Sequence, residues 1–338
     1  MSLAPILRVL VEQRPLTGEQ LRSAIRTMVA GEANQAEMGA LLALLATRAP
    51  TAEEIVAAAT VLRENVERLP TTIDPDQIVD TCGTGGAPKT FNVSTISALV
   101  AASLGVKVAK HGNRSRTGRG SAEFLEKLGV NLEAPIEKQA RAFDEVGICF
   151  CFAQRHHPTM RNVAPVRQAL GFPTLFNLVA PLTNPAGAKR QVLGVYDARY
   201  LEPVAAALQQ LGASKALVVH SDDGLDEISI SAGTEMMVVT PDAITRTRIV
   251  PEELGLSRAA REQVQVEGLD DAVRLARAIL DGSEHGAPRD AVLMGAAAAL
   301  FVADRVPTLS EGVTQARAAL EDGRAQAKLD AWIASSQR

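Results

Sequence analysis

The chain has 338 residues and a net charge of −4 at pH 7, with 46% hydrophobic, 22% charged and 3% aromatic residues. This length and balance are typical of a globular protein with one large domain or two ordinary ones. Few aromatic rings and an acidic balance argue against a general nucleic-acid-binding protein, which needs stacking platforms and a basic face.

The first 70 residues are predicted to be helical. Thr17 and Thr51 each begin a capping box, with Gln20 and Glu54 three residues later, and apolar residues follow both at helical spacing. Pro70 closes this stretch. Charged residues interrupt the apolar positions at the N-terminus, so the segment is not predicted to be a signal peptide.

From residue 77 onward, short β-branched strands alternate with helices. The predicted strands are QIVD, VKVAKH, ICFCF, QVLGVY and ALVVH, and the predicted helices cover residues 95–104, 122–128, 136–146 and 201–211. Such alternation is typical of a mainly parallel sheet covered by helices. The predicted fold class is therefore α/β, with a small helical domain and a larger α/β domain.

Residues 158–187 interrupt this alternation. They carry helical signals and no strand pattern of their own, so we expect them to pack beside the N-terminal helices. The predicted helical domain then comprises residues 1–70 and about 158–187, and the predicted α/β domain comprises residues 71–157 and 188–338.

Four loops rich in polar and charged residues follow four of the predicted strands. They are the glycine turn GTGG after QIVD, KHGNRSRTGRGS after VKVA, RHHP after ICFCF, and SDDGLDEIS after ALVVH. The carboxyl ends of parallel strands meet at one edge of a sheet, where ligands bind. We therefore expect these loops to form a single site.

The glycine turn contains Gly83, Gly85 and Gly86 and is followed by Asn92 and Ser94. Glycines at such a junction let backbone N–H groups approach a phosphate closely. The dinucleotide fingerprint and the nucleotide-triphosphate loop both fail to match, because a proline stands at position 88 where each requires a glycine. A strand-to-helix turn without a ligand remains an alternative.

The loop at residues 107–119 holds five lysines and arginines and no carboxylate. In an otherwise acidic chain this concentration indicates a local anion site, and the glycines of the loop leave backbone donors available beside it. A solvated basic loop is the alternative.

Asp226 and Glu227 form an adjacent carboxylate pair on a glycine-containing turn. Neighbouring carboxylates repel each other unless a cation compensates them. Such oxygen ligands suit Mg²⁺, which prefers a few protein carboxylates and a substrate phosphate. Opposite a phosphate-binding turn, the pair is predicted to be a surface magnesium site, and an ordinary solvated acidic turn is the alternative.

His156 and His157 lack a third ligand at metal spacing, so they are not predicted to bind zinc. A neutral histidine could line a pocket for a small aromatic ligand, or simply pack at the start of a helix. Arg167 lies on an apolar helical face beside Val163 and Val166, where its permanent charge needs an anion. That anion is either a structural carboxylate or the carboxylate of a substrate.

Together these motifs resemble the anthranilate phosphoribosyltransferase family. The resemblance runs from about residue 15 to about residue 300 and is carried by GTGG…KTFNVST, KHGNR, GSAEFLEKLG, HHPTMRNVAPVRQALG, TLFNLVAPLTNPAG, QVLGVYD and DGLDEIS. It implies an enzyme of tryptophan biosynthesis that transfers the phosphoribosyl group of 5-phosphoribosyl 1-pyrophosphate to the amine of anthranilate. It also implies the architecture shared by nucleoside phosphorylases and such transferases, and a homodimer formed through the helical domain.

The same resemblance gives roles to three groups of residues, and it assigns none as an acid, base or nucleophile. The donor 5-phosphoribosyl 1-pyrophosphate would be bound by Gly83, Gly86, Thr90, Asn92, Val93, Ser94, Thr95, Lys110, His111, Gly112, Asn113, Arg114, Ser115, Arg116, Thr117 and Ser121. Anthranilate would be bound by Gly83, His111, Asn113, His157 and Arg167. The implied cofactor Mg²⁺ would be held by Ser94, Asp226 and Glu227.

The chain departs from the family's pattern beside the glycine turn. The family places an aspartate after this turn, where this chain has Ala87, and SRTGRG replaces a serine-rich stretch in the basic loop. Arginine binds phosphate oxygens directly, whereas aspartate reaches them only through a metal. We hypothesise that Arg116 or Arg119 takes over part of the metal's task, the alternative being that both arginines face solvent.

Two other functions share the implied architecture. A pyrimidine nucleoside phosphorylase also uses a glycine-rich phosphate loop, but it needs neither Arg167 and Asn113 to hold a carboxylate nor the acidic pair. A non-catalytic nucleic-acid-binding relative would lack the acidic pair and carry a broad basic face. The sequence therefore favours the transferase, with two small-molecule substrates and with neither nucleic acid nor a membrane as a partner.

The expected location is the cytoplasm. The longest apolar stretch, residues 291–303, is shorter than the ~20 residues needed to span a bilayer. The three cysteines, Cys82, Cys149 and Cys151, form neither a disulfide framework nor a zinc pattern, which is typical of a reducing compartment.

Overall fold

Helices precede the first strand, as the capping signals predict. The computed structural model describes residues 2–86, 90–115 and 118–338, and its first four α-helices are α1 (Ala4–Val11), α2 (Gly18–Val29), α3 (Gln35–Ala46) and α4 (Ala52–Glu64). Both capping boxes are present. The Thr17 hydroxyl accepts a hydrogen bond from the Gln20 N–H at 3.2 Å, and the Thr51 hydroxyl accepts one from the Glu54 N–H at the same distance.

Seven strands form one sheet in the order β3-β2-β1-β4-β5-β6-β7. Their bounds are β1 (Ile78–Gly83), β2 (Lys107–Gly112), β3 (Ile148–Phe152), β4 (Arg190–Gly194), β5 (Lys215–Ser221), β6 (Thr234–Val239) and β7 (Ile244–Ile249). The pairings among β1 to β5 are parallel, whereas β5–β6 and β6–β7 are antiparallel. The mainly parallel sheet is confirmed, and the antiparallel hairpin at its edge is an addition that the sequence pattern did not predict.

Helices cover both faces of this sheet. The remaining α-helices are α5 (Val93–Ser103), α6 (Ser121–Leu128), α7 (Ile136–Val146), α8 (Ala153–His156), α9 (Ala164–Leu170), α10 (Leu175–Val179), α11 (Leu201–Gln210), α12 (Leu269–Leu280), α13 (Ala287–Val302), α14 (Leu309–Glu321) and α15 (Arg324–Gln337). Among the described residues, no helix is both long and apolar enough to cross a bilayer.

Alternate strand residues pack into two large apolar clusters, as expected of a sheet with both faces buried. On β5, Leu217 and Val219 join the cluster around α5 and α13, whereas Ala216 and Val218 join the cluster around α1 to α4. The fold class is therefore confirmed as a small helical domain and a larger α/β domain.

Residues 158–187 contain short helices and no strand within the described structure, in agreement with the sequence pattern. Val163 and Phe176 from this segment pack in the same cluster as Leu41 of α3. That cluster also includes β4 and α11, so the packing does not decide where one domain ends. The proposed boundaries at residues 70, 157 and 187 stay a prediction.

Two element bounds differ from the prediction near the site. Helix α5 begins at Val93 rather than at Thr95, because Asn92 adopts a left-handed conformation (φ 66°) and ends the preceding turn. Strand β4 ends at Gly194 and does not extend through Tyr196. Beyond the end of β4, the Tyr196 N–H donates to the Thr84 hydroxyl beside the glycine turn at 3.1 Å.

Candidate active site

The carboxyl ends of the parallel strands lie along one edge of the sheet. Gly83 at the end of β1 is in register with Gly194 on β4, and Gly112 at the end of β2 is in register with Phe152 on β3. The glycine turn follows β1, the basic loop follows β2, the histidine pair follows β3, and the acidic turn follows β5, which is parallel to β4. The predicted convergence of four loops is confirmed.

Two glycines make room for Asp226. A Cβ atom on Gly83 would overlap the Asp226 carboxylate and lie 3.0 Å from its Cγ. A Cβ atom on Gly194 would overlap the backbone carbonyl of Asp226. The family resemblance implies a substrate-binding role for Gly83 and none for Gly194, although a glycine inside a strand pattern is a signal of close backbone approach.

The rest of the turn also requires glycine. Gly85 (φ 65°) and Gly86 (φ 99°) both adopt left-handed backbone conformations. A Cβ atom on Gly86 would lie 3.3 Å from Pro173, so the turn borders the segment between α9 and α10. Residues 87–89, which include Ala87, lie outside the described residues.

The start of α5 faces the acidic pair. Glu227 accepts hydrogen bonds from the backbone N–H of Ser94 and, at 2.9 Å, from the Thr90 hydroxyl. Thr95, one residue further into the helix, is buried and donates its N–H to the Asn92 carbonyl at 2.9 Å. The N-terminus of α5 therefore directs backbone donors toward negative charge, which is the usual property of such a helix end.

Asp226 and Glu227 are half-buried, so the prediction that they form a surface pair is wrong. The close approach of Asp226 to Gly83 and the bond from Thr90 to Glu227 draw both carboxylates into the edge of the sheet. Burial raises the pKa of Asp226. Burial and the neighbouring Asp226 charge raise the pKa of Glu227 to about 7. Both shifts show that burial disfavours the charged form of these carboxyls.

Lys110 is a buried cation whose charge acts on both members of this pair. Its side chain is buried, and its ammonium donates to the Ser94 hydroxyl at 3.2 Å and to the Thr81 carbonyl. Burial lowers the pKa of Lys110, while attraction by Asp80, Glu227 and other acidic groups opposes the shift. The ammonium is thus held at the strand edge between acidic groups.

Asp80 is a site residue that the sequence analysis missed. It is fully buried in β1, where it accepts a hydrogen bond from the His111 N–H at 2.9 Å and one from the Asn184 amide at 2.9 Å. Burial raises its pKa to about 6. A charged residue inside the apolar stretch IVDTC was a usable signal, because a buried carboxylate must have partners.

His111 and His157 form a buried pair. Their Nε2 atoms lie 3.1 Å apart, and their ring centroids lie 5.0 Å apart. Burial lowers the pKa of His157 to about 4 and that of His111 well below its usual range. Both rings are therefore neutral at pH 7, with one donating to the other. His156 points elsewhere, since its Nδ1 lies 2.6 Å from the Glu67 carbonyl.

Arg167 of α9 is half-buried and lies over the Phe176 ring. Its guanidinium donates to the Asn177 side-chain oxygen at 3.5 Å. The amide of Asn177 donates to the Thr84 carbonyl in the glycine turn at 3.2 Å. Arg167 is therefore connected to the turn through Asn177.

The basic loop is less electropositive than its sequence indicates. Arg114 is exposed and forms two hydrogen bonds of 2.7 and 2.6 Å to Glu126 of α6, and the Ser115 N–H lies 3.2 Å from Glu123. The loop itself holds no carboxylate, but α6 supplies carboxylates from outside it, and the predicted anion site stays a prediction. Asn113 is also exposed, and its side-chain oxygen accepts the Arg114 N–H at 2.8 Å.

Other parts of this loop contact the site. Gly112 lies against the Ser121 hydroxyl, with no room for a Cβ atom between them. Arg119 donates to the Thr90 carbonyl at 3.1 Å and to the Glu267 carbonyl at 3.4 Å. The proposed donor-binding residues Arg116 and Thr117 lie outside the described residues.

Comparisons with known proteins agree along the whole chain. Residues 75–326 match the glycosyl transferase family a/b domain, and residues 4–66 match the helical bundle domain of the same family. The anthranilate phosphoribosyltransferase of Rubrobacter xylanophilus is 44% identical over 98% of this chain and 97% of its own length.

Two solved structures of that enzyme are also similar. The enzyme of Thermus thermophilus has a TM-score of 0.91 at 42% identity and covers 98% of this chain and 99% of its own. The Saccharomyces cerevisiae enzyme, solved in complex with PRPP and Mg, has a TM-score of 0.89 at 24% identity and covers 99% of this chain and 98% of its own. At that lower identity the match supports the fold alone.

Proposed function

This chain belongs to the anthranilate phosphoribosyltransferase family, and on that premise we propose that it transfers the phosphoribosyl group of 5-phosphoribosyl 1-pyrophosphate to anthranilate. The products are N-(5-phosphoribosyl)anthranilate and pyrophosphate, in a step of tryptophan biosynthesis. The observation that carries the proposal is the position of buried Lys110 and the α5 N-terminus opposite the Asp226–Glu227 pair.

The donor binds at the glycine turn and the start of α5. The backbone donors of the turn and the hydroxyls of Thr90 and Ser94 contact its phosphates, together with the Lys110 ammonium. Gly112, at the end of β2, and Ser121 beside it border the same site. Arg114 would have to break its hydrogen bonds to Glu126 before it could contact the donor. Asn92, Val93 and Thr95 support this surface through the turn that begins α5.

The residues beside the donor site fit a magnesium ion. Asp226, Glu227 and Ser94 offer hard oxygen ligands, and the two carboxylates are adjacent in the chain and half-buried, where a cation would offset the cost of burying their charge. No group of three or more histidine, cysteine or acidic side chains suited to a metal exists among the described residues, so substrate phosphates would complete the coordination. Bound Mg²⁺ would neutralise charge that develops on the departing pyrophosphate.

Anthranilate binds between the histidine pair and Arg167. The neutral rings of His111 and His157 offer a polar wall that does not repel an uncharged aromatic amine. The Arg167 guanidinium receives the carboxylate of the substrate, in a charge-assisted bond. Asn113 and Gly83 border this side, and the exposed Asn113 side chain would have to turn inward to contact the substrate.

The chemistry requires positioning more than proton transfer. The amine nitrogen of anthranilate forms a bond to the anomeric carbon of the ribose, and the bond from that carbon to pyrophosphate breaks. The amine proton goes to the departing pyrophosphate or to water. Lys110 and the backbone donors at α5 face the leaving group, where negative charge develops. Holding the two substrates in line contributes the rest of the rate enhancement, and we expect no covalent enzyme intermediate.

Loss of anthranilate fluorescence tests the proposal. The protein is mixed with Mg²⁺, 5-phosphoribosyl 1-pyrophosphate and anthranilate, and omission of the donor is the control. Folded protein that consumes no anthranilate would contradict the transferase function. A parallel assay with thymidine and inorganic phosphate tests the nucleoside phosphorylase alternative, for which we expect no turnover.

The proposal includes a homodimer in the cytoplasm. Helix α3 has no polar side chain after Glu37, and its Ala43 and Leu44 are only half-buried, while Val11 of neighbouring α1 is 68% exposed. A second copy packing on this face would cover these side chains. The three cysteines are free thiols, which supports a reducing compartment. Sedimentation velocity would measure the oligomeric state directly.

A further inference from the structure

A cavity separate from the active site lies at the opposite end of the strands. Its volume is about 220 Å³, and its lining includes Pro75 just before β1 and Lys189 just before β4. The end of α11 and the residues that follow α4 complete its walls. We call it the linker cleft, because residues 65–75 and 181–189, which connect the helical domain to the sheet, both line it.

Three cations line the linker cleft. Arg63, Arg68 and Lys189 belong to the lining, which includes no aspartate or glutamate among the described residues. Lys189 forms an ion pair of 3.0 Å with Asp76, which lies outside the lining. No carboxylate of the described structure lies within ion-pair distance of Arg63 or Arg68. The cleft therefore has a net positive charge.

Arg63 is the most informative of the three. It is half-buried, and it donates to the carbonyls of Leu182 at 2.7 Å and Leu211 at 3.2 Å, which carry no net charge. Burial and the nearby Arg68 charge both lower its pKa. Two arginines thus repel each other beside a cavity, and an anion placed between them would remove that repulsion.

We propose that the linker cleft binds a phosphate group, either free or at the end of a small metabolite. A phosphate carries close to two negative charges at pH 7 and offers several acceptor oxygens, which match two guanidinium forks and one ammonium. Arg68 lies on the segment that leaves the helical domain and Lys189 on the segment that returns to the sheet. A bound phosphate would hold these segments together. This site does not depend on the proposed transferase function.

Equilibrium dialysis of the full chain with radiolabelled inorganic phosphate tests the proposal. The decisive variant is Arg68→Ala, because this exposed side chain can be removed without disturbing the core. We expect the phosphate affinity to fall about tenfold or more, as for loss of one charge-assisted contact. Arg141→Ala on α7 is the matched control, since it removes an equally exposed arginine for which no ion pair exists in the described structure.

A second variant separates the cleft from the active site. Lys110→Gln weakens phosphate binding at the donor site and should leave binding in the cleft intact. Phosphate binding that Lys110→Gln abolishes and Arg68→Ala leaves unchanged would overturn the proposal, as would an absence of binding at millimolar phosphate. Equal weakening by Arg141→Ala would show a general counterion effect and would also overturn it. Glucose 6-phosphate in place of inorganic phosphate then shows whether the cleft admits a substituted phosphate.

Discussion

Replacing Gly83 by alanine tests whether the position of Asp226 determines activity. The added Cβ atom would lie 3.0 Å from the Asp226 Cγ and closer still to the carboxylate oxygen, whereas ordinary contacts are at least 3.4 Å. The carboxylate must therefore move by roughly 1 Å, a displacement that can cost about 10²-fold in rate when it misplaces a catalytic group. Because Gly83 has no left-handed conformation, the substitution itself adds no backbone strain.

The assay measures kcat/KM by anthranilate fluorescence and the unfolding midpoint by urea denaturation. We expect Gly83→Ala to lower kcat/KM about 100-fold with little change in the midpoint. Gly268→Ala is the matched control, because its Cβ would meet nothing closer than 3.9 Å. In an Asp226→Ala background, Gly83→Ala should have no further effect. A full additional loss there would refute the reasoning and indicate that the methyl group blocks the substrate directly.

Four further predictions follow from the charged groups of the site. Arg167→Ala should raise the KM for anthranilate by a factor that corresponds to roughly 1.5–3 kcal/mol, the free energy of a hydrogen bond to a charged group. An equal increase in the KM for the donor would indicate a structural role. The double variant Asp226→Asn/Glu227→Gln should abolish turnover at ordinary Mg²⁺ concentrations. It should not lower the unfolding midpoint, because burial disfavours both charges in the native protein. Near-normal turnover would exclude the magnesium assignment. Arg119→Ala should weaken donor binding, measured by titration calorimetry, by more than about 0.5 kcal/mol, the usual limit for an uninvolved surface residue. A smaller change would show that Arg119 does not bind the pyrophosphate. Since the pKa of Asp80 rises from 3.8 to about 6 on folding, its contribution makes stability fall as pH rises between those values, and Asp80→Asn should flatten that part of a urea-midpoint profile.

The sequence predicts the fold class and the site edge because both depend on local, periodic signals. Alternating strands and helices imply parallel strands, and parallel strands bring their carboxyl ends together. The capping boxes at Thr17 and Thr51 likewise need only residues three positions apart. The antiparallel hairpin of β6 and β7 escaped prediction. It depends on how the chain continues from β5 across residues 222–233, which carry no strand signal.

The contacts within the site join residues that are far apart in the chain. The local pattern of apolar and polar residues does not predict such contacts. Gly194 and Asp226 are neighbours only because β4 and the turn after β5 meet at the sheet edge. Asp80 receives a hydrogen bond from Asn184, more than a hundred residues away. Arg114 pairs with Glu126 on the next helix, a partner that a count of charges within the loop cannot reveal.

We propose that the charge balance of the site is related to the chain's departure from the family's pattern at Ala87. Asp80, Asp226 and Glu227 surround the single ammonium of Lys110, so in the ionised state the carboxylates exceed it by two charges. That excess equals the charge of one magnesium ion. Burial raises the pKa of Asp80 to about 6, and burial together with the neighbouring Asp226 charge raises the pKa of Glu227 to about 7, so without a bound cation protons can take part of its place. An aspartate at position 87 would have added a further negative charge and called for a second cation. With alanine there, we propose that one divalent ion balances the protein's own groups, and that the backbone donors at α5 and either Arg116 or Arg119 meet the additional charge of the donor's pyrophosphate.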